Sequence, residues 1–214
     1  MIYSTDCPFC KNTRFINNKL ASLPSDESIL FENKNIYVAV DISPICLGHI
    51  LIVTQNHYLN FFETSSEIKN DVIKIKEKIK EIYNQVYNSD VLFFEHGSAQ
   101  SGFAGASIDH AHLHCIPYNF DISDSLREQL GQPVNCDILS KNNFNNEFSY
   151  IYLENKQIGK LMYKVNKLPS QFLRKVLSES FGSKKYLWQE KCKSEDNKKN
   201  LNKTISDLKN KLFL

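Results

Sequence analysis

His110, His112 and His114 occupy alternate positions within Ile108 to Pro117, so an extended backbone turns all three imidazoles to one face, opposite Ala111, Leu113 and Cys115. Four kinds of chemistry suit such a face. Two imidazoles at i and i+2 can reach one zinc ion and leave a position open for water, which would make a zinc-water hydrolase. A neutral imidazole is also a competent nucleophile near neutral pH and leaves well from phosphorus, provided its tautomer is fixed. The trio could instead bind phosphate, or be the polar side of a half-exposed strand. All six histidines lie at 49, 57, 96, 110, 112 and 114, so the chemistry is expected before residue 120.

The segment from Gly97 to Ser107 holds three of the seven glycines and leads into the histidine strand. Its exposed N–H groups, closing on Ser107, could hold a phosphate oxyanion at the strand's mouth. The six cysteines include the close pair Cys7-Pro8-Phe9-Cys10. The N-terminus lacks the charged and apolar regions of a secretory signal, and no apolar run approaches the length of a membrane span. A cytosolic location is therefore expected, where thiols stay reduced and a CxxC points to metal or redox chemistry.

Those groups need a frame. Ile29 to Glu32, Ile36 to Val40 and Gly48 to Val53 read as a three-stranded meander, with a turn at Asn33-Lys34-Asn35. Thr64-Ser65-Ser66-Glu67 has the form of a capping box, and Ile68, Val72, Ile75, Ile79, Ile82 and Val86 recur at helical spacing after it. A long amphipathic helix is predicted, with Lys69, Lys76, Glu77 and Lys80 on a solvated outer face. Val91 to Glu95 is a further strand. Near residue 122 the composition turns to Asn, Lys and Ser, which predicts a core domain over 1–122 and an extension over 123–214. In the extension Phe148 to Leu153 and Lys160 to Val165 could pair. Pro169 to Ser180 could form a helix stopped by Gly182, and Leu201, Ile205, Leu208 and Leu212 mark a closing helix. Asn142 to Asn146 reads as a loop.

Length and charge exclude several classes. At 214 residues the chain can bury a full core, and 26 basic against 24 acidic residues leave +2, too little to draw nucleic acid or a membrane through the overall field. Residues 183–214 hold nine lysines against four acids, which reads as a solvated helix before it reads as a nucleic-acid grip.

Gly105-Ala106-Ser107-Ile108-Asp109-His110-Ala111-His112-Leu113-His114-Cys115-Ile116-Pro117 resembles the signature of the histidine triad (HIT) superfamily of nucleotide hydrolases and transferases. Asp41-Ile42-Ser43-Pro44, Gly48 to Val53 and His57 are similar to its second block. Cys7-Pro8-Phe9-Cys10-Lys11 is similar to the N-terminal block of its zinc-bearing bacterial members. The resemblance implies an α+β fold, a HIT-like antiparallel sheet with a long amphipathic helix, here followed by a mixed, partly helical C-terminal extension. It implies that His112 attacks an α-phosphorus to give a nucleotidyl-histidine that water resolves. It further implies that His114, Ser107 and Gly105 meet phosphate or the leaving group, and that Asp41 accepts from ribose hydroxyls. Asp41 could equally cap its own turn, and Ser107 could bond its own backbone. In zinc-bearing members the ligands correspond to Cys7, Cys10, His57 and His110, a closed and hence structural set. His49 is expected to be an ordinary hydrogen-bonded strand histidine.

Departures from the family pattern sit on the leaving-group side: Ala106 where Gln is common, Glu95-His96 in place of an Asn-containing strand, Thr54 in place of Pro, and a longer loop over 97–107. Transferase branches usually carry Gln where this chain has His114, which favours water as the acceptor. The expected substrate is a nucleoside monophosphate joined to a leaving group: a dinucleoside polyphosphate, a phosphoramidate or a nucleotidylated conjugate. Pro169 to Arg174 and Trp188 are similar to the C-terminal segment of CwfJ-type relatives associated with RNA processing. That keeps a noncatalytic nucleotide- or RNA-binding adaptor as the alternative, beside a nucleotidyltransferase. The extension could close over the leaving group, form a homodimer interface or bind a partner.

Overall fold

A computed structural model describes residues 7–24, 26–100, 104–119, 121–140 and 148–212; the loop expected over Asn142 to Asn146 lies outside them. The elements are α1 (Phe15–Leu20), β1 (Ile29–Glu32), β2 (Ile36–Val40), β3 (Ile50–Thr54), α2 (Ser66–Tyr87), β4 (Val91–Gly97) and β5 (His112–Pro117). They continue as α3 (Ser123–Leu130), β6 (Val134–Asn135), β7 (Ser149–Asn155), β8 (Gly159–Val165), α4 (Phe172–Ser180), α5 (Trp188–Lys191) and α6 (Glu195–Leu208). The strands form one eight-stranded sheet in the order β1-β2-β3-β5-β4-β7-β8-β6. Every pairing between neighbours is antiparallel. The fold is thus α+β, with the expected meander and long helix in place; the strand expected over Ile108 to Pro117 begins at His112, because His110 N–H bonds back to the Ile108 carbonyl and turns the chain before the ladder starts. No described helix is long and apolar enough to cross a membrane.

Strand alternation sorts the side chains into two faces. Ile50, Ile52, Phe93, Leu113 and Cys115 face α2 and α6, where the apolar stripe Ile68, Val72, Ile75, Ile79 and Ile82 meets Leu201, Ile205 and Leu208 in one core. The opposite face carries His112 and His114. It has two covers: Phe9 and its neighbours lie over Tyr37, Ala39, Leu51 and Val53, while Leu126, Leu173 and Leu177 from α3 and α4 lie over Phe94, Ile116 and Leu153. The site lies between these covers.

The segment after residue 122 extends the same sheet, because β7 pairs with β4 from Phe93↔Glu154 to Gly97↔Tyr150 and β8 folds back on β7. This addition alters the surface of α2. Lys69 and Lys76, expected on a solvated face, are buried. Lys69 Nζ donates to the Phe62 and Ser140 carbonyls, and Lys76 pairs with Glu154 of β7. A helix face read from one sequence appears solvated when the strand that covers it comes 70 or more residues later. The helix also starts one residue after the capping box implied, since Ser65 is the N-cap and its hydroxyl accepts from Ile68 N–H. α4 starts at Phe172 rather than at Pro169, because Gln171 takes a left-handed backbone and its N–H donates to the Gly105 carbonyl.

Candidate active site and metal-ligating cluster

The alternating histidines reach two places. His110 precedes the ladder of β5 and turns toward the N-terminal arm, where Cys7 Sγ lies 3.4 Å and Cys10 Sγ 3.7 Å from its Nδ1. His57 Nδ1 lies 3.5 Å from Cys10 Sγ. One ligand atom from each of Cys7, Cys10, His57 and His110 falls within 4.8 Å of the others, so the four could hold a metal ion. The tautomer of His110 fits that role: its Nε2–H donates to the Thr54 carbonyl at 2.8 Å, which leaves the Nδ1 lone pair toward the sulfurs. Burial, reinforced by Cys7, pushes the Cys10 thiol up to about 12, so two adjacent thiolates in this spot call for a cation.

His112 and His114 project instead into a cavity of about 310 Å³. Its lining brings together Asp41, Gly105, Ser107, His112 and His114, all expected from the sequence, with Pro8 and Phe9 of the arm on one side. A second group whose ligand atoms lie close together, Asp41, His49 and His114, borders the cavity, while the Cys7, Cys10, His57 and His110 set and the cavity set share no residue. Phe9 joins them mechanically, its ring edge-on to His112 at a centroid separation of 5.0 Å.

The hydrogen bonds fix complementary tautomers on the two rings. His112 Nδ1–H donates to the His110 carbonyl at 2.5 Å, which leaves the Nε2 lone pair unprotonated. Burial pushes the His112 pKa down, against that hydrogen bond and the nearby Asp41 carboxylate, so the ring is neutral at physiological pH. His49 Nδ1 accepts from Ile45 N–H at 3.0 Å, so its proton sits on Nε2, which lies 2.9 Å from His114 Nδ1. His114 therefore accepts at Nδ1 and carries its own proton on Nε2. Phe94 stacks on His114 at 4.3 Å with 5° between the planes, holding the ring in place. The outcome is one ring able to give a lone pair and a neighbouring ring able to give a proton, with centroids 4.8 Å apart.

Asp41 is buried and ionised. Burial pushes its carboxyl up, but the Arg174 guanidinium, His49 and the Ser43 N–H together hold it below the usual carboxylate range. Its Oδ1 accepts from Ser43 N–H at 2.7 Å, the turn contact expected of an Asp-Ile-Ser-Pro sequence, and Oδ2 accepts from Arg174 at 3.0 Å. Turn-capping and cavity-lining thus coexist in one carboxylate. Gly105 has a φ of +75°, and a Cβ there would meet the Pro169 carbonyl oxygen at 2.7 Å, so only glycine lets this loop lie against the extension.

The lining also includes His96, Gln171, Arg174 and Trp188, none of which the sequence singles out as a site residue. His96 ends β4 on the histidine face, and its Nε2 accepts from Leu173 N–H at 3.3 Å. Period-2 counting along Val91 to Gly97 would have placed it there, since it shares the parity of Phe94. The other three come from beyond residue 122, and no local spacing ties them to the triad. His49, expected to be an ordinary strand histidine, is hydrogen-bonded as foreseen, yet its partner is His114.

The pattern of the HIT domain matches residues 23–121. An uncharacterized HIT-like protein of Rickettsia prowazekii is 30% identical over 96 residues, covering 44% of this chain and 78% of that protein. One of Borreliella burgdorferi is 28% identical over 116 residues, or 52% and 75% of the two chains. The adenosine 5'-monophosphoramidase of Candida albicans is 24% identical over 119 residues, or 55% and 73%. The matched stretch holds Asp41, His49, His57, Gly105, Ser107 and the three alternating histidines, and with these relatives beside the geometry the chain belongs to the histidine triad (HIT) family.

Proposed function

We propose that the protein is a nucleotide phosphohydrolase that cleaves a nucleoside monophosphate from a phosphate or phosphoramidate leaving group through a covalent intermediate on His112. The observation that carries this reading is the bond from His112 Nδ1–H to the His110 carbonyl, which reserves the Nε2 lone pair for the cavity. In the first step that lone pair forms an N–P bond to the α-phosphorus and the bond from phosphorus to the leaving group breaks. The departing atom takes its proton from His114 Nε2–H or the Ser107 hydroxyl, both of which line the cavity. In the second step water attacks phosphorus, the N–P bond breaks back to His112, and the water's proton restores the donor. Gly105 and the loop backbone receive the phosphate, and Asp41 keeps lone pairs for the sugar hydroxyls.

Cys7, Cys10, His57 and His110 are the residues that would hold a structural zinc ion, and a Cys2His2 set saturates it. An ion held by these four residues would cross-link the arm to the segment leading into β5 and to His57. A zinc-water hydrolase using all three triad histidines fits less well, because His110 Nδ1 faces Cys7 and Cys10 whereas His112 and His114 line the cavity. The thiols need a reducing compartment, which accords with the cytosol. Residues up to 122 carry the reacting groups, and 123–214 supply a wall of the cavity. The name of the Candida relative, a monophosphoramidase, supports a phosphoramidate as the first substrate to try.

The test is to mix the protein with an α-32P-labelled nucleoside phosphoramidate, quench within milliseconds to seconds, and look for acid-labile label on the chain. Label on the native protein and none on His112→Ala is the expected result. Nucleotide binding with neither label nor turnover would favour the noncatalytic adaptor.

A further inference from the structure

α4 lies outside the stretch matched by the family pattern, yet its Arg174 reaches the floor of the cavity. The helix is seated by Leu173 and Leu177, both fully buried, and by the bond from Leu173 N–H to His96 Nε2. Arg174 itself is 5% exposed. Its Nη1 donates to Asp41 Oδ2 at 3.0 Å and its Nη2 donates to the Ser43 carbonyl, so the guanidinium grips the carboxylate and the turn behind it.

Asp41 Oδ2 also lies 3.6 Å from His49 Nε2 and 4.0 Å from His114 Nδ1. A carboxylate enclosed in this way requires a cation. Three groups beside it could provide one: Arg174, which is always charged, or His49 or His114 by taking up a proton. Lys191, His112 and His96 are the other titratable groups facing this cluster. Lys191 feels the Asp41 carboxylate at longer range, but its ammonium donates to the Ile45 carbonyl at 3.0 Å, and the ion-pair contacts of Asp41 are with Arg174, His49 and His114.

We infer that Arg174 is a positioning residue: by supplying the fixed countercharge to Asp41 it keeps the His49–His114 pair free of an extra proton, and so keeps His114 Nε2–H aimed at the cavity. Were the guanidinium absent, Asp41 would acquire its neutralising proton directly or through an imidazolium on His49 or His114. An imidazolium on His114 would surrender the Nδ1 acceptor that now receives the His49 proton, and the relay from Ile45 N–H through two rings would break. This role rests on the hydrolase reading for its kinetic consequence alone, because the proton inventory exists whether or not the protein turns over a substrate. It also gives the extension a reason to be joined to the catalytic part: the group that sets the charge of the sugar-side acid is supplied from it.

The experiment is ring 15N and carboxyl 13C NMR of the zinc-loaded full chain at pH 7, with His114 assigned by its loss in His114→Gln. The native protein should show His49 and His114 neutral, each protonated at Nε2 only, and Asp41 ionised. Arg174→Gln should add one proton to the Asp41–His49–His114 group, and the double variant Arg174→Gln/Asp41→Asn should return both rings to the native neutral pattern. No proton gained in Arg174→Gln overturns the inference. If Arg174→Gln alone does not fold, the double variant decides: recovery of a native thermal transition supports the pairing, and a double variant as unstable as the single overturns it. Turnover of a nucleoside phosphoramidate on the same samples separates the two claims. A native protein that hydrolyses nothing while the proton shift is still seen removes the enzyme and leaves the role of Arg174 standing.

Discussion

His49 Nε2 stands 2.9 Å from His114 Nδ1, and this contact decides which nitrogen of His114 carries a proton. Both rings are buried, and burial pushes the His49 pKa down to about 3, so neither is charged near neutrality and the tautomers are set by hydrogen bonding alone. Replacing His49 by Phe removes the donor and frees His114 to protonate at Nδ1, which turns an acceptor toward the leaving group. We expect kcat to fall by about a hundredfold, the usual worth of a positioned proton donor, with nucleotide binding within a few-fold of native. Equal losses in binding and turnover would contradict the relay.

His112 is the second test. His112→Ala should lower turnover by at least about a thousandfold on the proposed mechanism, because loss of the nucleophile would leave only binding and oxyanion contacts to act. Calorimetry should show nucleotide binding largely retained, because Gly105, Ser107 and Asp41 are untouched. A variant that keeps native turnover would remove His112 from the reaction.

Metal analysis provides a third. One zinc per chain is expected, lost in Cys7→Ser, with a large drop in thermal stability, because metal binding to a preformed Cys2His2 set contributes directly to folding. Chelation should loosen the arm that carries Phe9 and, through its contact with His112, reduce activity and fold together. Loss of activity on chelation with the melting profile unchanged would instead favour a catalytic metal.

Much of this arrangement was legible in the sequence because it is local. The alternation of His110, His112 and His114 has period 2, the stripe of α2 has period 3.6, and both follow from backbone geometry. What could not be read is carried by contacts of long separation: Arg174 meets Asp41 across 133 residues, and Lys76 meets Glu154 across 78. Sequence spacing puts Lys76 on an outer face because helical periodicity identifies the apolar stripe but not what a later strand will cover. That His110 sits with Cys7, Cys10 and His57 while His112 and His114 line the cavity was legible only through resemblance, because alternation sends all three rings to one side and says nothing of Cys7 or His57.

The buried histidines also predict how stability responds to acid. His49 and His96 are both held near 3 by burial, against about 6.5 in the unfolded chain. Between those values the unfolded chain binds more protons than the folded one, so stability falls as pH falls from about 6.5 toward 3. Each histidine contributes about 1.4 kcal/mol per pH unit over that window. Urea midpoints taken from pH 7.5 to 4.5 on the zinc-loaded protein should be flat at first and then decline from about pH 6.5. A midpoint that stays constant down to pH 5 would show that these rings are not neutral and enclosed.

Lys76 and Glu154 tie the helix α2 to the strand that the extension adds, and the pair is nearly sealed from water. Tyr152 hydroxyl also donates to Glu154 Oε2 at 2.5 Å, so the carboxylate is held by two donors. Burial pushes the Lys76 pKa down while Glu154 opposes that, which is the balance expected of a buried ion pair. Removing one partner strands the other charge, and Glu154→Leu should cost about 3–5 kcal/mol of stability. Replacing both, as Lys76→Met/Glu154→Leu, removes two desolvated charges at once and should restore most of that loss, because an apolar pair of similar volume needs no counterion. A double variant no more stable than Glu154→Leu would mean that the contact between α2 and β7 depends on packing around the pair rather than on the charges themselves. In that case the attachment of the extension would rest on the β4–β7 ladder and on the packing of α3, α4 and α6, with no contribution from these charges.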